Sequence, residues 1–149
     1  MSRPKTPAAL LQATPEATEA EFYEALQQGD LARLMAVWAD EDEIVCVHPG
    51  GPRVVGMAAI RASFEGIFSN GGVPAWPEQV HRLHSGSTAV HHLVERIDIA
   101  TPQGTQTAWV LATNVYLKTT LGWRLVAHHA SPGSPEALQA AADFSATLH

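Results

Sequence analysis

One stretch near the end of the chain, residues 112–132 (ATNVYLKTTLGWRLVAHHASP), constrains the fold more than any other. It predicts two long β-strands, 105–119 and 123–131, that pair as an antiparallel hairpin. Gly122 lies at the end of the short connection, where hairpin loops often need a left-handed residue that glycine adopts at the lowest cost. A long hairpin of this kind favours a fold built around an antiparallel sheet.

The register of this hairpin brings two polar residues together. If Thr119 faces Trp123 across the turn, then Asn114 lies directly opposite His128, and both side chains point to one face of the sheet. Two polar side chains that meet in the middle of an apolar sheet indicate the floor of a pocket.

The preceding strand, predicted at 87–100, has two different faces. Its apolar face carries Ala89, His91, Leu93, Glu95, Ile97 and Ile99. The turn at 101–104 has proline and glycine where a type I turn favours them. Pairing residue 101 with residue 104 creates two cross-strand pairs on that face: Glu95 with Val110, and His91 with Asn114. A three-residue loop would shift the register by one and turn Glu95 outward; we favour the type I turn because it agrees with the hydrophobic alternation.

The opposite, convex face of the last two strands is also apolar. It is expected to carry Trp109, Leu111, Val115 and Leu117 on one strand and Trp123, Leu125 and Ala127 on the other. A solvated face would alternate with polar residues, so another surface must cover this one. A second copy of the chain is the simplest cover, and we expect a homodimer through the convex sheet face.

The first half of the chain has the periodicity of helices. A helix that starts at Thr14-Pro15-Glu16 and stops at Gly29 buries Phe22, Tyr23 and Leu26. A second, capped by Asp30, presents Leu31, Leu34, Met35 and Trp38. A third opens at Gly56 and presents Met57, Ile60, Phe64, Ile67 and Phe68. A short strand, Ile44–His48, precedes the third helix, and another strand is expected near 78–84. Helices followed by long antiparallel strands predict an α+β domain.

The length of 149 residues fits one domain. We expect a flexible tail at 1–13, a single domain at 14–132 and a C-terminal helical extension at 133–149. Residues 1–13 lack the apolar core of a signal peptide. The single cysteine, Cys46, excludes an internal disulfide and suits a reducing compartment, so a cytoplasmic location is expected.

Charge and hydropathy exclude two classes of partner. The formal net charge of −6 comes without a cluster of Lys and Arg, which argues against binding to nucleic acid. No apolar run approaches the length that spans a bilayer, so no membrane partner is expected.

Three segments of the chain together resemble the nuclear-transport-factor-2-like superfamily, also called SnoaL-like or ketosteroid-isomerase-like. They are FYEALQQGDLARLMAVWADEDEIVCVHPGG, GMAAIRASFEGIF and ATNVYLKTTLGWRLVAHHASP. The resemblance covers residues 16–132 and implies a cone, in which a curved antiparallel sheet wraps around the N-terminal helices and encloses one pocket. It also implies a dimer through the convex face.

The resemblance leaves the activity open, because this cone hosts isomerases, dehydratases, cyclases and non-catalytic binding domains. The acidic base, Tyr and protonated Asp of the steroid-isomerase branch have no placed counterparts in this sequence. The kinase-association branch has pocket arginines at the positions of Asn114 and Ala130, and this chain lacks both. The first strand, VCVHPG, looks more like an uncharacterised bacterial branch that shares His48 and Glu95.

Glu95 is the most informative candidate residue. A carboxylate on a core strand face needs hydrogen bonds or a proton, because desolvation raises its pKa. Glu95 is therefore a candidate general base, or else one half of a structural pair with a histidine or with Arg61. His128 and His48 complete the predicted catalytic group, each with the alternative of a purely structural role: a satisfied core histidine for His128, and capping of the following turn for His48.

Ligand contacts are assigned to Asn114, Trp38, His91 and Val110. Asn114 either orients a ligand carbonyl or fixes the imidazole tautomer of His128. Trp38 and His91 have core packing as their alternative. His129 points to the other face of its strand, which leaves a place in the pocket or in the dimer interface open.

The eight histidines do not require a metal. The doublets 91/92 and 128/129 lie on strands, where neighbouring side chains diverge. A trio of His48, His91 and His128 remains an alternative zinc site, but nothing in the spacing demands it. We predict no metal and no cofactor.

The functional hypothesis is a small-molecule pocket that performs acid–base chemistry on a small apolar carbonyl compound, as an isomerase, dehydratase or cyclase. The alternative is a non-catalytic ligand-binding or dimeric assembly domain. No placed Ser or Cys nucleophile and no phosphate-binding glycine loop point elsewhere.

Overall fold

The computed structural model of the protein describes residues 12–134, which fold into three helices and a six-stranded sheet. The helices are α1 (Pro15–Gln28), α2 (Leu31–Ala36) and α3 (Met57–Phe68). The strands are β1 (Val45–Val47), β2 (Arg53–Val55), β3 (Ala75–Ser85), β4 (Thr88–Thr101), β5 (Gly104–Thr119) and β6 (Gly122–Gly133). The predicted α+β class is confirmed. The predicted C-terminal helix and most of the predicted tail lie outside the described residues.

Local capping explains where the first two helices begin. The Thr14 side chain accepts a hydrogen bond from the Ala17 N–H at 3.1 Å, and the Asp30 side chain accepts one from Arg33 N–H at 3.1 Å. Gly29 has a left-handed backbone, with φ of 66°, and ends α1. The second helix is shorter than expected: it ends at Ala36, so Trp38 is not a helical residue.

The sheet has the strand order β2-β1-β6-β5-β4-β3. All neighbouring strands are antiparallel except β1 and β6, which pair in parallel and place Cys46 beside His128. The β4–β5 hairpin has the predicted register, because Thr101 pairs with Gly104. The predicted cross-strand pairs follow from it: Glu95 with Val110, and His91 with Asn114.

The β5–β6 hairpin differs from the prediction near its turn. Thr119 pairs with Gly122 instead of Trp123, and a bulge then restores the expected register, so that Asn114 still lies opposite His128. The extra residue is Val126, because Tyr116 pairs with Leu125 and Val115 with Ala127. A bulge reverses the side-chain alternation on either side of it.

This reversal corrects the predicted convex face. Trp123 and Leu125 were expected to point outward, but they point inward, are 4% and 0% exposed, and belong to the hydrophobic core. The convex face retains half-buried Trp109, Leu111 and Val115 on β5. Ile99 also departs from the prediction: it lies near the β4–β5 turn, opposite Gln106, and is 45% exposed.

The helices pack on the concave side of the sheet and form one core with it. Its largest fully buried aromatic side chains are Phe22, Tyr23, Phe64 and Tyr116. Phe22 on α1 makes edge contacts with both Tyr23 and Phe64, at centroid distances of 5.0 and 6.3 Å. This packing holds α1 against the strands that carry the polar candidates. Among the described residues, no helix is long and apolar enough to cross a membrane.

Candidate functional site

Glu95 lies at the centre of the concave sheet face and is 4% exposed. The α1 helix places Tyr23 directly over it, and the Tyr23 hydroxyl donates a hydrogen bond to Glu95 Oε2 at 2.8 Å. The sequence identified Glu95 but treated Tyr23 only as a core residue. A phenol hydroxyl on a buried helix face needs a polar partner, and that requirement was the signal for Tyr23.

Three strands and one helix close a ring of polar groups around this carboxylate. The Asn114 amide nitrogen donates to the Tyr23 hydroxyl at 3.0 Å. The Asn114 Oδ1 is 2.5 Å from His128 Nδ1, and His128 Nε2 is 3.9 Å from Glu95 Oε2. The four members of this ring, Tyr23, Glu95, Asn114 and His128, are all buried.

The hydrogen bonds of the ring all run in one direction. Because Asn114 Oδ1 can only accept, the neutral His128 ring must carry its proton on Nδ1. Asn114 then donates to Tyr23, and Tyr23 donates to Glu95. His128 Nε2 is left as an unprotonated nitrogen that faces Glu95 Oε2. The gap between these two atoms is therefore the place in the ring where one more proton can be held.

Burial sets the protonation states of the ring. Desolvation raises the pKa of Glu95 to about 7, and the hydrogen bond from Tyr23 offsets part of that effect. Desolvation lowers the pKa of His128 to about 3, with smaller contributions from His48 and His129. The pKa of Tyr23 is raised well above its ordinary value, chiefly by burial and then by the charge of Glu95. At neutral pH the ring thus holds a neutral imidazole, a neutral phenol and a carboxyl that is half ionised.

His48 lies beside the ring, just after β1. Its Nε2 is 3.0 Å from the Ser63 hydroxyl and 3.7 Å from Cys46 Sγ, and its ring packs edge-on against Phe64. Burial lowers the pKa of His48 and so favours the neutral imidazole. Burial also raises the pKa of the Cys46 thiol to about 12, which makes it unreactive. His48 is half-buried and is the most accessible of the three predicted catalytic residues.

His91 faces the same side of the sheet but takes other partners. Its Nδ1 is 3.3 Å from Glu19 Oε2, its Nε2 is 3.6 Å from Glu16 Oε2, and its ring packs on Tyr116 at 4.9 Å. Glu19 is buried, and desolvation raises its pKa. Glu19 was not among the residues predicted for the site, although its position three and four residues before Phe22 and Tyr23 places it on the apolar side of α1. His91 therefore belongs to a second polar cluster that holds α1 on the sheet.

The other predicted ligand contacts are separated from one another. Val110 lies opposite Glu95 and is buried beside the ring. Trp38 pairs through its backbone with Leu125 and lines a cavity of about 440 Å³ at the end of the hairpin, together with Met35 and Met57. Trp38 is separated from the other predicted contacts because α2 ends early and the chain enters the sheet before residue 38.

His129 is exposed on the convex face. There it lines a trough of about 910 Å³, together with Val45, Val47, Arg53 and Val55. Glu95 and Asn114 line neither of the two cavities described here. Within residues 12–134, no three His, Cys, Asp or Glu side chains lie close enough together to form a metal site.

A curved sheet that covers three helices and encloses a polar ring defines the cone class of small pocket domains. The family model for the SnoaL-like domain matches residues 16–135, and the chain belongs to the SnoaL-like family within the NTF2-like superfamily. No protein of curated function matches the sequence.

Two solved structures are similar in both sequence and fold. A candidate calcium/calmodulin-dependent protein kinase type II association domain from Thiobacillus denitrificans is 34% identical, with a TM-score of 0.76, over 83% of this chain and 98% of that one. A candidate dehydratase of the NTF2-like family from Streptomyces avermitilis is 31% identical, with a TM-score of 0.72, over 79% of this chain and 93% of that one. An NTF2-like protein with a cystatin-like fold from Novosphingobium aromaticivorans is 19% identical, covers 82% of each chain, has a TM-score of 0.67 and is similar in fold alone.

Proposed function

We propose that this protein is a cofactor-independent isomerase or lyase that moves a proton at a carbon next to the carbonyl of a small apolar molecule. One observation carries the proposal: Glu95 is a buried carboxyl whose pKa is raised to about 7 and which accepts a hydrogen bond from Tyr23, a residue held in turn by Asn114 and His128. A general base is most effective when its pKa lies near the working pH. The similarity to a candidate dehydratase supports the same class of reaction.

Each residue of the ring has a role in the proposed proton transfer. The Glu95 carboxylate takes the proton from the carbon, the C–H bond breaks, and its electron pair moves toward the carbonyl oxygen. The Glu95 carboxyl, whose pKa is the higher of the two, holds the proton until it returns to another carbon or to a leaving hydroxyl, and the neutral His128 Nε2 faces it at 3.9 Å from Glu95 Oε2. Asn114 and His48 are the N–H donors assigned to the developing oxyanion. Tyr23 keeps Glu95 oriented and limits the rise of its pKa.

The test is a proton-transfer assay with small cyclic β,γ-unsaturated ketones and β-hydroxy ketones as probes. Conjugated enone formation is followed by ultraviolet absorbance, and deuterium uptake from D₂O is followed by mass spectrometry. We expect turnover by the wild-type chain and a loss of about a hundredfold or more in Glu95→Gln, because removal of a general base costs that much. Glu65→Gln is the matched control, since Glu65 is exposed on α3. Full activity in Glu95→Gln eliminates Glu95 as the base.

A non-catalytic ligand-binding or assembly domain is the second candidate, and the 34% identity to a candidate kinase association domain favours it. The two candidate functions predict different results in this assay, because only the enzyme converts the probe. Probe ketones that raise the melting temperature of the protein but are recovered unchanged and without deuterium support the second candidate. Consumption of a probe supports the first.

We also propose that the working unit is a homodimer in the cytoplasm, paired through the convex face. The half-buried apolar residues Trp109, Leu111 and Val115 support this pairing. The adjoining trough of about 910 Å³ carries Glu43 and Arg53, whose opposite charges suit a self-complementary contact between two copies.

A further inference from the structure

Two exposed histidines face each other across the strands β3 and β4. His81 and His92 are directly opposite in the antiparallel ladder. Because directly opposed residues of an antiparallel pair share a face and have Cβ atoms about 4.5–5.5 Å apart, both imidazoles project from the convex side of the sheet within reach of one ion. This arrangement differs from the sequence doublet 91/92, whose members point to opposite faces.

A bulge in β3 creates this pairing. The register shifts between Glu78 and His81, and Gln79 has a φ of 51°, the one positive value of a non-glycine residue in the described part of the chain. Without the extra residue, Val80 would lie opposite His92 and His81 would point to the concave side. A bulge that costs backbone strain and re-aims one side chain is the kind that adjoins functional positions.

Within residues 12–134, the two imidazoles have no competing partners. Both residues are exposed, and neither side chain has a hydrogen bond, ion pair or ring contact with another described residue. In this respect they differ from His84, whose ring packs on Trp123, and from His91, which contacts Glu19. Free neutral imidazoles are the ligands that late first-row divalent metals accept most readily.

We propose that His81 and His92 chelate one divalent transition-metal ion, with water completing the coordination sphere. Cu²⁺ and Ni²⁺ are the preferred ions, because a two-imidazole site without thiolate or carboxylate follows the general affinity order of these metals. The site does not depend on the proposed proton-transfer activity, since the Glu95 ring lies on the other side of the sheet.

The test is calorimetric titration of the full, untagged chain with NiCl₂ in a non-coordinating buffer. We expect one Ni²⁺ per chain at this site. His81→Gln and His92→Gln should each weaken binding by about a hundredfold, because a single imidazole loses the effective concentration that its partner supplies. His84→Gln is the matched control: His84 is exposed on the same strand as His81, but its neighbour across the ladder is Ala89.

A second measurement identifies the ligands directly. Pulsed electron paramagnetic resonance of the chain loaded with one Cu²⁺ should detect two coordinated imidazoles in the wild type and in His84→Gln, and one in either single variant of the pair. Wild-type Ni²⁺ affinity in His81→Gln or His92→Gln overturns the proposal. An equal loss of affinity in His84→Gln, or a single imidazole signal in the wild type, overturns it as well. All three positions are exposed, so circular dichroism should report an unchanged fold.

Discussion

Replacing Glu95 with glutamine should change how the stability of the protein depends on pH. The carboxyl has a pKa of about 7 in the fold against an ordinary value of 4.5, so the folded protein holds a proton that the unfolded chain releases between those two values. The contribution of Glu95 to stability is therefore fully present below pH 4.5 and is lost as the pH rises to 7. Each pH unit in this window corresponds to about 1.4 kcal/mol.

His128 has the opposite effect. Its pKa is about 3 in the fold against 6.5 in the unfolded chain, so its contribution is present above pH 6.5 and is lost as the pH falls toward 3. Between pH 4.5 and 6.5 the two contributions to the unfolding free energy therefore change by equal amounts in opposite directions. In this range the pair adds no pH dependence to the stability of the wild type. Glu95→Gln removes the contribution of Glu95 and leaves that of His128, so the unfolding free energy of the variant should decrease as the pH falls.

Over the whole window from pH 4.5 to 7, the difference in unfolding free energy between Glu95→Gln and wild type should grow by about 3 kcal/mol in favour of the variant. Glutamine can accept the hydrogen bond from Tyr23 and donate one toward His128 Nε2, so we expect the variant to fold. Urea unfolding at half-unit pH steps measures the difference, with Glu65→Gln as the control for the loss of an exposed carboxylate. Parallel stability curves for a folded Glu95→Gln and the wild type would refute the electrostatic account of the ring.

Two further predictions follow from the ring and the convex face. Tyr23→Phe should raise the pKa of Glu95 by about one to two units, because a hydrogen bond to a charged group is worth about 1.5–3 kcal/mol. In the same infrared titration, Tyr116→Phe, at the only other tyrosine of the sequence, should leave the pKa of Glu95 unchanged. Leu111→Asp should shift the sedimentation coefficient from dimer to monomer, whereas Leu121→Asp, at the exposed hairpin turn, should not. A wild-type chain that sediments as a monomer at micromolar concentration contradicts the dimer.

The sequence predicted the part of the site that depends on regular alternation. The turn at 101–104 has residues typical of a type I turn, and its register alone places Glu95 opposite Val110. The position of Asn114 opposite His128 was also predicted, although the assumed turn was wrong and the bulge at Val126 compensated for it. No residue near Val126 signals that bulge, since any residue can be the extra one, and the inward position of Trp123 could not be foreseen.

The residues that contact Glu95 and His128 could not be predicted, because packing between elements distant in the sequence brings them to the site. Tyr23 reaches Glu95 because Phe22 and Phe64 fix how α1 lies across the sheet, and such an angle is a property of tertiary packing. The parallel pairing of β1 with β6, which places Cys46 beside His128, joins segments about 80 residues apart and has no local sequence signal. Trp38 was misplaced because its spacing from Leu31 fits a helix, whereas its backbone pairs with a strand.

The most direct test of the account is the titration of Glu95 itself. Infrared difference spectra of wild type and Glu95→Gln, recorded from pH 4 to 9, isolate the carbonyl stretch of this one protonated carboxyl. The band should disappear with a midpoint near pH 7, where burial and the Tyr23 hydrogen bond together place the pKa of Glu95. A midpoint near the ordinary value of 4.5 would mean that Glu95 is a fully ionised structural residue, and it would contradict its role as a general base.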